Sequence, residues 1–356
     1  MPWPCHDSLG GLGPGAAHSA APGPTGGDPP SGGAVTGGSA TPGFHPTPPQ
    51  QHPAFHEAVT TICKANTALH GPTPAMITAR LHGRLGNQMF QYAAARALAD
   101  RLGTSVALDT REAVQRGEGV LTRVFDLDLT EPVTLPPLKS AAPLRYALWR
   151  AFGRLPMFRR EHGLGYNLDF TTWGEDSYLH GYWQSERYFA PIAERIRADF
   201  AFPAFSDSQN AEMADRIQAS NAISLHVRRG DYMALAAHSL CDQAYYEAAL
   251  AHILTGLSGT PTVFVFSDDP GWAKDNLPLP CEKIVVDFNG PDADYEDMRL
   301  MTLCQHNIIA NSSFSWWAAW LNRNPKKIVT GPAQWFGNPK LSNPDILPDS
   351  WQRIEA

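Results

Sequence analysis

Five short apolar runs, each paired with a helical stretch, fill the C-terminal half of the chain and leave little choice of fold. The runs are Ala222–Val227, Thr262–Phe266, Lys283–Val286, Asn307–Ala310 and Lys326–Thr330. Helical patterns lie near 208–219, 242–256, 270–276, 294–305 and 313–322. A strand that returns after a helix pairs in parallel with its predecessor, so the alternation predicts a doubly wound parallel sheet. Ligands of such sheets bind beyond the carboxyl ends of the strands, which is where reactive residues are to be sought.

The segment from Met76 opens in the same way. Met76-Ile77-Thr78-Ala79-Arg80-Leu81 alternates apolar and polar as a first strand, and Ser105 to Asp109 reads as a second. Between them, Phe90, Ala93, Ala94, Ala97, Leu98 and Leu102 recur at the spacing of an amphipathic helix, with Asn87 as its expected N-cap. The intervening loop His82-Gly83-Arg84-Leu85-Gly86 can bring backbone close to a ligand. It lacks the first glycine of the dinucleotide fingerprint and the Lys-Ser/Thr pair of a phosphate loop, which disfavours an oxidoreductase and leaves a plain tight turn open. Prolines 132, 136, 137 and 143 punctuate the middle. There we expect a helix over Leu144–Phe158, a strand over Ser177–Tyr182, a helix over Glu186–Phe200 and a linker at Phe202-Pro203-Ala204-Phe205-Ser206. The expected class is therefore α/β, with two Rossmann-like domains at 76–205 and 206–356.

Residues 1–75 differ in kind. They hold 13 of the 30 glycines and 14 of the 31 prolines, more than a third of the segment, with no collagen period. Such a stretch cannot bury enough apolar surface to offset its ordering entropy, so it reads as a disordered tail. With Lys64 as its one Lys and no Arg, it is neither a signal nor a transit peptide. A net charge of −7 supplies no basic field for nucleic acid, and no apolar run approaches the roughly 18 residues of a membrane span. Cysteines 5, 63, 241, 281 and 304 stand singly, which argues against a disulfide framework or a zinc site and for reduced thiols in a cytoplasmic protein. Six histidines in the tail have no regular spacing and form no designed metal site.

Four segments at strand ends carry candidate chemistry. In Leu225-His226-Val227-Arg228-Arg229-Gly230-Asp231-Tyr232, two guanidiniums follow a strand and suit a diphosphate. Asp231 is placed to orient an arginine, and His226 to contact a base or ribose. Phe266-Ser267-Asp268-Asp269-Pro270 ends a second strand, with helix capping as the simpler reading of its aspartates. Asp287 closes a third strand where it could accept hydrogen bonds from guanine, and Asp297 is a weaker candidate. In Asn311-Ser312-Ser313-Phe314-Ser315-Trp316-Trp317, hydroxyls at a helix N-terminus could hold a phosphate or simply cap the helix. Trp316, Trp317 and Trp320 share one helical face and read as core.

Three segments together carry a family resemblance: Gly86-Asn87-Gln88-Met89-Phe90-Gln91-Tyr92, His226-Val227-Arg228-Arg229-Gly230-Asp231-Tyr232 and Asn311-Ser312-Ser313-Phe314-Ser315-Trp316-Trp317. Gly181-Tyr182-Trp183-Gln184-Ser185-Glu186 and Phe266-Ser267-Asp268-Asp269 support them. The body, from about 76 to 336, resembles the family-11 glycosyltransferases, the α-1,2-fucosyltransferases that use GDP-fucose. The resemblance implies a two-domain, B-type, inverting enzyme that needs neither a metal nor a cofactor beyond its donor. It implies that Arg229, with Arg228 beside it, grips the diphosphate, and that His226 and Asp287 hold the guanine. Ser312 or Ser313 would meet a phosphate, while Asn87 and Gln88 face the same cleft from the other domain; Asp268 is counted with the donor site.

The expected reaction is attack by a galactose 2-hydroxyl on the anomeric carbon of GDP-β-L-fucose. Arg228 and Arg229 would stabilise the leaving diphosphate, and Asp231 or Glu186 would serve as base. The resemblance further implies a galactose-terminated or lipid-linked acceptor and a bacterial cytoplasmic enzyme, compatible with peripheral contact at the inner membrane face. It implies no nucleic-acid partner and no integral membrane segment. Family sequences usually begin near the equivalent of Met76, so Met1 is read as an upstream start or the tail as an extension. Two rivals stay open. A metal-dependent transferase would use Asp126-Leu127-Asp128 or Asp292-Ala293-Asp294, and a non-catalytic module would bind nucleotide or glycan without turnover. Deletion of 1–75 is expected to leave activity essentially unchanged, as measured on the truncated chain; a large loss would give the tail a role.

Overall fold

The structure is a computed structural model that describes residues 75–152, 157–205, 207–229, 241–338 and 340–355. The chain divides between Pro72 and Thr73, and every described residue belongs to the second unit. The disordered-tail expectation and Asp231 therefore lie outside the described residues.

Two parallel sheets organise this unit, as the strand–helix alternation predicts. The first is formed by β1 (Met76–Arg80), β2 (Ser105–Asp109), β3 (Phe158–Arg160) and β4 (Tyr178–His180), in the order β2-β1-β4-β3. Helices α1 (Leu85–Leu102), α2 (Arg111–Gln115) and α3 (Pro143–Phe152) fall between its strands. After α4 (Ala193–Asp199) and α5 (Ser208–Gln218), the second sheet takes six strands. They are β5 (Ala222–Val227), β6 (Thr262–Ser267), β7 (Glu282–Val286), β8 (His306–Ile308), β9 (Val329–Pro332) and β10 (Gln352–Ile354). Their order is β10-β9-β8-β5-β6-β7, and α6 (Gln243–Thr255), α7 (Pro270–Asn276), α8 (Asp294–Leu303) and α9 (Ser313–Leu321) connect them.

The order of each sheet fixes where a ligand can sit. From β5 the chain steps outward through β6 and β7, then returns to place β8 against the opposite side of β5. In the same way β1 has β2 on one side and β4 on the other. Crevices open where the winding direction reverses, beyond the carboxyl ends of β5 and β8 and of β1 and β4. All six residues of β5 are buried, as befits a central parallel strand covered on both faces.

Several expectations needed correction. Helix α1 is not amphipathic: Gln88 to Ala99 are buried throughout, because the first sheet lies on one side and α9 on the other. Its alanines leave room for that double contact, and Phe90 meets Trp316 and Trp317 at ring-centroid distances of 4.5 and 4.9 Å. Asn87 is not its N-cap; the helix starts at Leu85, with Arg84 in the cap position and no side-chain cap bond. The helix expected over Leu144–Phe158 ends at Phe152 and gives way to β3. That expected over Glu186–Phe200 breaks into 3-10 turns at Glu186–Tyr188 and Ala190–Ile192 before α4. Pro191 sits in the second turn, where its missing N–H and fixed φ suit the start of a helix and not its middle. Strand β10 was not foreseen. Trp316, Trp317 and Trp320 are core residues, as their spacing predicts.

Where α1 and α9 cross there is no space to spare. A Cβ on Gly86 would lie 2.6 Å from the carbonyl carbon of Ser313, and Trp317 Nε1 donates to the Gly86 carbonyl at 2.9 Å. Gly86→Ala is therefore expected to cost about 1–3 kcal/mol through forced separation of two backbones. Gly174→Ala, where the added carbon meets nothing within 4 Å, should change stability little. Denaturant unfolding of the two variants measures the contrast.

Candidate active site

The period of two along β5 sorts its side chains. Ile223, Leu225 and Val227 join the core beneath α6, with Tyr245, Leu250 and Ile253. Ser224 and His226 point to the opposite face, where Ser224 Oγ accepts from Asn307 Nδ2 at 2.7 Å and the His226 ring lies 5.5 Å from that of Phe314. His226 is 4% exposed, and its Nδ1 has no hydrogen-bond partner. Burial, with a smaller contribution from Arg228, holds its pKa down to about 3. A neutral imidazole with one unspent nitrogen thus stands at the β5–β8 crevice.

Immediately after the strand, Arg228 Nη1 lies 3.0 Å from Asp268 Oδ2, while the Arg229 amide donates to Asp268 Oδ1 at 2.8 Å. Asp268 therefore locks the arginine loop to the end of β6. The Arg229 guanidinium stacks on Trp272, 3.9 Å from the ring centre, with Nε 3.6 Å from Asp269. Asp269 is the N-cap of α7 and accepts from the Trp272 amide at 3.0 Å, so the capping reading holds for it. Asp287 stands after β7 and pairs with Lys274.

The amino end of α9 meets that of α1. Ser312 caps α9, accepting from the Phe314 amide at 3.3 Å. Ser313 Oγ donates to Asn87 Oδ1 at 2.9 Å, and the same oxygen accepts from Gln184 Nε2 at 2.8 Å. Asn87 thereby links α1, α9 and the turn after β4. Gln88 does not face the cleft. It is fully buried, donating to the carbonyls of Gly83 and Gly119 at 2.8 and 2.7 Å and accepting from the Leu121 amide at 3.0 Å. Its carboxamide fastens two loops and has no capacity left for a ligand.

Asp294 opens α8; burial raises its pKa, against smaller opposing influences that include the charges of Arg84 and Arg228. Asp297, pushed up to about 7 by burial, accepts from Asn289 Nδ2 at 2.8 Å. Glu186 is misplaced for a base. It accepts from Trp320 Nε1 at 3.1 Å, seven residues or about 10 Å along α9 from Ser313. Among the described residues no group of three or more His, Cys, Asp or Glu is arranged to hold a metal ion.

The crevice of the first sheet holds groups that sequence reasoning missed. His82, after β1, is 5% exposed and lies 4.5 Å from the Tyr182 ring and 6.0 Å from that of His180. Arg80 Nη1 contacts His180 Nε2 at 3.2 Å. Arginine can only donate, so Nε2 accepts and the proton of the neutral ring sits on Nδ1, which has no partner. Glu161 accepts from the amides of Tyr182 and Trp183 at 2.6 and 2.9 Å, and burial pushes its pKa up to about 7. Its carboxyl group holds Trp183 at φ +57°, a conformation that a bulky residue adopts only when its surroundings impose it. The signal for this crevice was Gly181-Tyr182-Trp183-Gln184 at the end of the strand predicted over Ser177–Tyr182.

Burial holds the pKa of His82 down to about 4 from 6.5. Below about 6.5 the unfolded chain takes up this proton while the folded one does not. Stability present above pH 6.5 is thus lost as pH falls toward 4, at about 1.4 kcal/mol per unit from this group. His82→Gln should remove that slope, seen as a difference in the pH dependence of unfolding free energy between variant and wild type.

Comparison with known proteins bears on this geometry. The family model described as "Glycosyl transferase family 11" matches residues 50–355. An alpha-1,2-colitosyltransferase of Escherichia coli is 32% identical over 292 residues, which cover 79% of this chain and 99% of that protein. A galactoside 2-alpha-L-fucosyltransferase, SEC1 of Bos taurus, is 26% identical, covering 71% of this chain and 66% of that one. Among solved structures, NodZ alpha-1,6-fucosyltransferase co-crystallized with GDP superposes with a TM-score of 0.42 at 15% identity, over 69% of this chain and 92% of that one. With the family model spanning β1 to β10 and a full-length relative above 30% identity, the chain belongs to glycosyltransferase family 11.

Proposed function

We propose that this glycosyltransferase moves L-fucose from GDP-β-L-fucose to the 2-hydroxyl of a galactoside, with inversion to an α-1,2 linkage and without a metal ion. The observation that carries the reading is the convergence of Arg228 and the amino ends of α1 and α9 at one crevice, beside the neutral His226. When the glycosidic bond to the donor breaks, negative charge grows on the diphosphate. Guanidiniums and unpaired helix N–H groups stabilise that charge more in the transition state than in the ground state. Arg228, held by Asp268, supplies a fixed cation, and Arg229 a second within the same loop. His226 offers its free nitrogen to the nucleoside. Asp287, beyond β7, is within the same set of strand ends.

The acceptor belongs in the other crevice. Tyr182 presents an aromatic face to a sugar ring, and the His180 Nδ1–H is a donor in search of an acceptor oxygen. The fucosyl centre gains oxocarbenium character as the diphosphate leaves, so the hydroxyl nucleophile needs only modest activation. Asp231 remains the candidate base. A lipid-linked glycan reached from the cytoplasmic face is the acceptor that fits the family. The colitosyl relative favours one second reading. Colitose is L-fucose without its 3-hydroxyl, so the donor could be the GDP-linked dideoxy sugar.

Incubation of the full chain with GDP-fucose or GDP-colitose and a panel of galactosides, with linkage read by NMR, tests both readings. Transfer of fucose to O2 is expected, insensitive to EDTA. Arg228→Ala and Arg229→Ala should each lower kcat/KM by about 100-fold or more while leaving the fold intact, as read by circular dichroism. Turnover of GDP-colitose alone would select the second reading. GDP binding without turnover of either donor, or near-normal rates in both variants, would overturn the mechanism.

A further inference from the structure

Between Glu131 and Glu161 the sequence contains six basic residues, Lys139, Arg145, Arg150, Arg154, Arg159 and Arg160, and no acidic one. In a chain of net charge −7 this is a strong local reversal of sign. Helix α3 lies inside the segment. Its inward face is aromatic: Trp149 stands 5.9 Å from Tyr146 and 5.1 Å from Phe158 of β3, the edge strand of the first sheet. Its outward face is aliphatic. Leu144, Ala147, Leu148 and Ala151 are all exposed at spacings of three, four and seven residues, with Leu144 73% and Leu148 52% accessible.

A helix on a water-facing surface normally turns its apolar stripe inward. Here the packed face is aromatic and a second apolar stripe faces out, with the exposed Arg145 and Lys139 beside it. We propose that α3 is an interfacial helix that docks this chain on an anionic phospholipid bilayer, with Leu144 and Leu148 entering the acyl boundary and the exposed Lys139 and Arg145 meeting the headgroups. Apolar insertion combined with cationic attraction is the pairing that holds a helix in the plane of a membrane surface. A soluble polyanion would use the charges and ignore the leucines, so the stripe favours lipid. The helix is about 15 Å long, and no helix among the described residues is long and apolar enough to cross a membrane. The attachment is therefore superficial and reversible. The inference is independent of donor and acceptor identity.

Flotation of the full chain with vesicles tests it. With phosphatidylglycerol–phosphatidylethanolamine vesicles at low ionic strength the protein should float, and it should be released as salt rises. With phosphatidylcholine vesicles it should stay in the soluble fraction. The double variant Leu144→Glu, Leu148→Glu should partition about tenfold less or weaker still. Lys139→Glu with Arg145→Glu should act in the same direction. Both leucines are exposed, so an unchanged melting curve is expected and confirms that the variant folds. Three results would overturn the proposal: no flotation with the anionic vesicles, equal flotation with the neutral ones, or wild-type flotation by the leucine variant. Retention on heparin equal for the wild type and the leucine variant, without flotation, would also overturn it and assign the patch to a polyanion.

Discussion

The close crossing of α1 and α9 is the contact on which the rest depends. Each helix begins directly after a strand, α1 after β1 and α9 after β8, so their amino ends lie at the crevices of their own sheets. Because Gly86 has no side chain, the two backbones touch, and one crevice is set against the other. The Trp317 indole bonded to the Gly86 carbonyl, and the rings of Phe90, Phe189 and Trp316 around it, fill the junction with aromatic surface. Hydrophobic burial thus sets the amino ends of two helices, and the positive ends of their dipoles, beside one another.

The polar groups around this junction divide into those used up by the fold and those left over. Gln88, Ser312, Asp269 and Asp268 are engaged with the backbone or with arginine and give the loops their shape. His226 Nδ1 and His180 Nδ1 are the contrast: buried imidazole nitrogens without partners, one in each crevice. Leaving such atoms unsatisfied costs about 1–3 kcal/mol each, a cost that a bound ligand can recover.

Much of this was legible in the sequence. The strands β5, β6, β7 and β8 follow from apolar runs, and the arginines, aspartates and serines after them follow from where such sheets bind ligands. The misreadings have physical causes. Periodicity assigned α1 one buried face, because the second contact, with α9, is made at Gly86, which has no side chain to enter a hydrophobic pattern, and at Phe90, which the pattern already counts on the first face. Asn87 looked like a cap since its residue type fits, yet its oxygen is taken by Ser313 and Gln184 from distant parts of the chain. Gln88 was placed in the cleft by the family resemblance, whereas its buried carboxamide fastens two loops. His82, His180 and Glu161 were invisible because they lie 19 to 98 residues apart and come together only through the pairing of β4 with β1 on one side and β3 on the other. The aliphatic stripe of α3 was hidden by its aromatic one, which alone suffices to predict a helix.

The single oxygen of Asn87 serves two donors, the Ser313 hydroxyl and the Gln184 amide, one following a strand of the second sheet and the other a strand of the first. Replacing Asn87 takes the acceptor from both donors at once, whereas replacing Ser313 or Gln184 leaves the other bond in place. In descent, then, Asn87 is not free to drift singly, and lineages that alter it should alter its two donors with it.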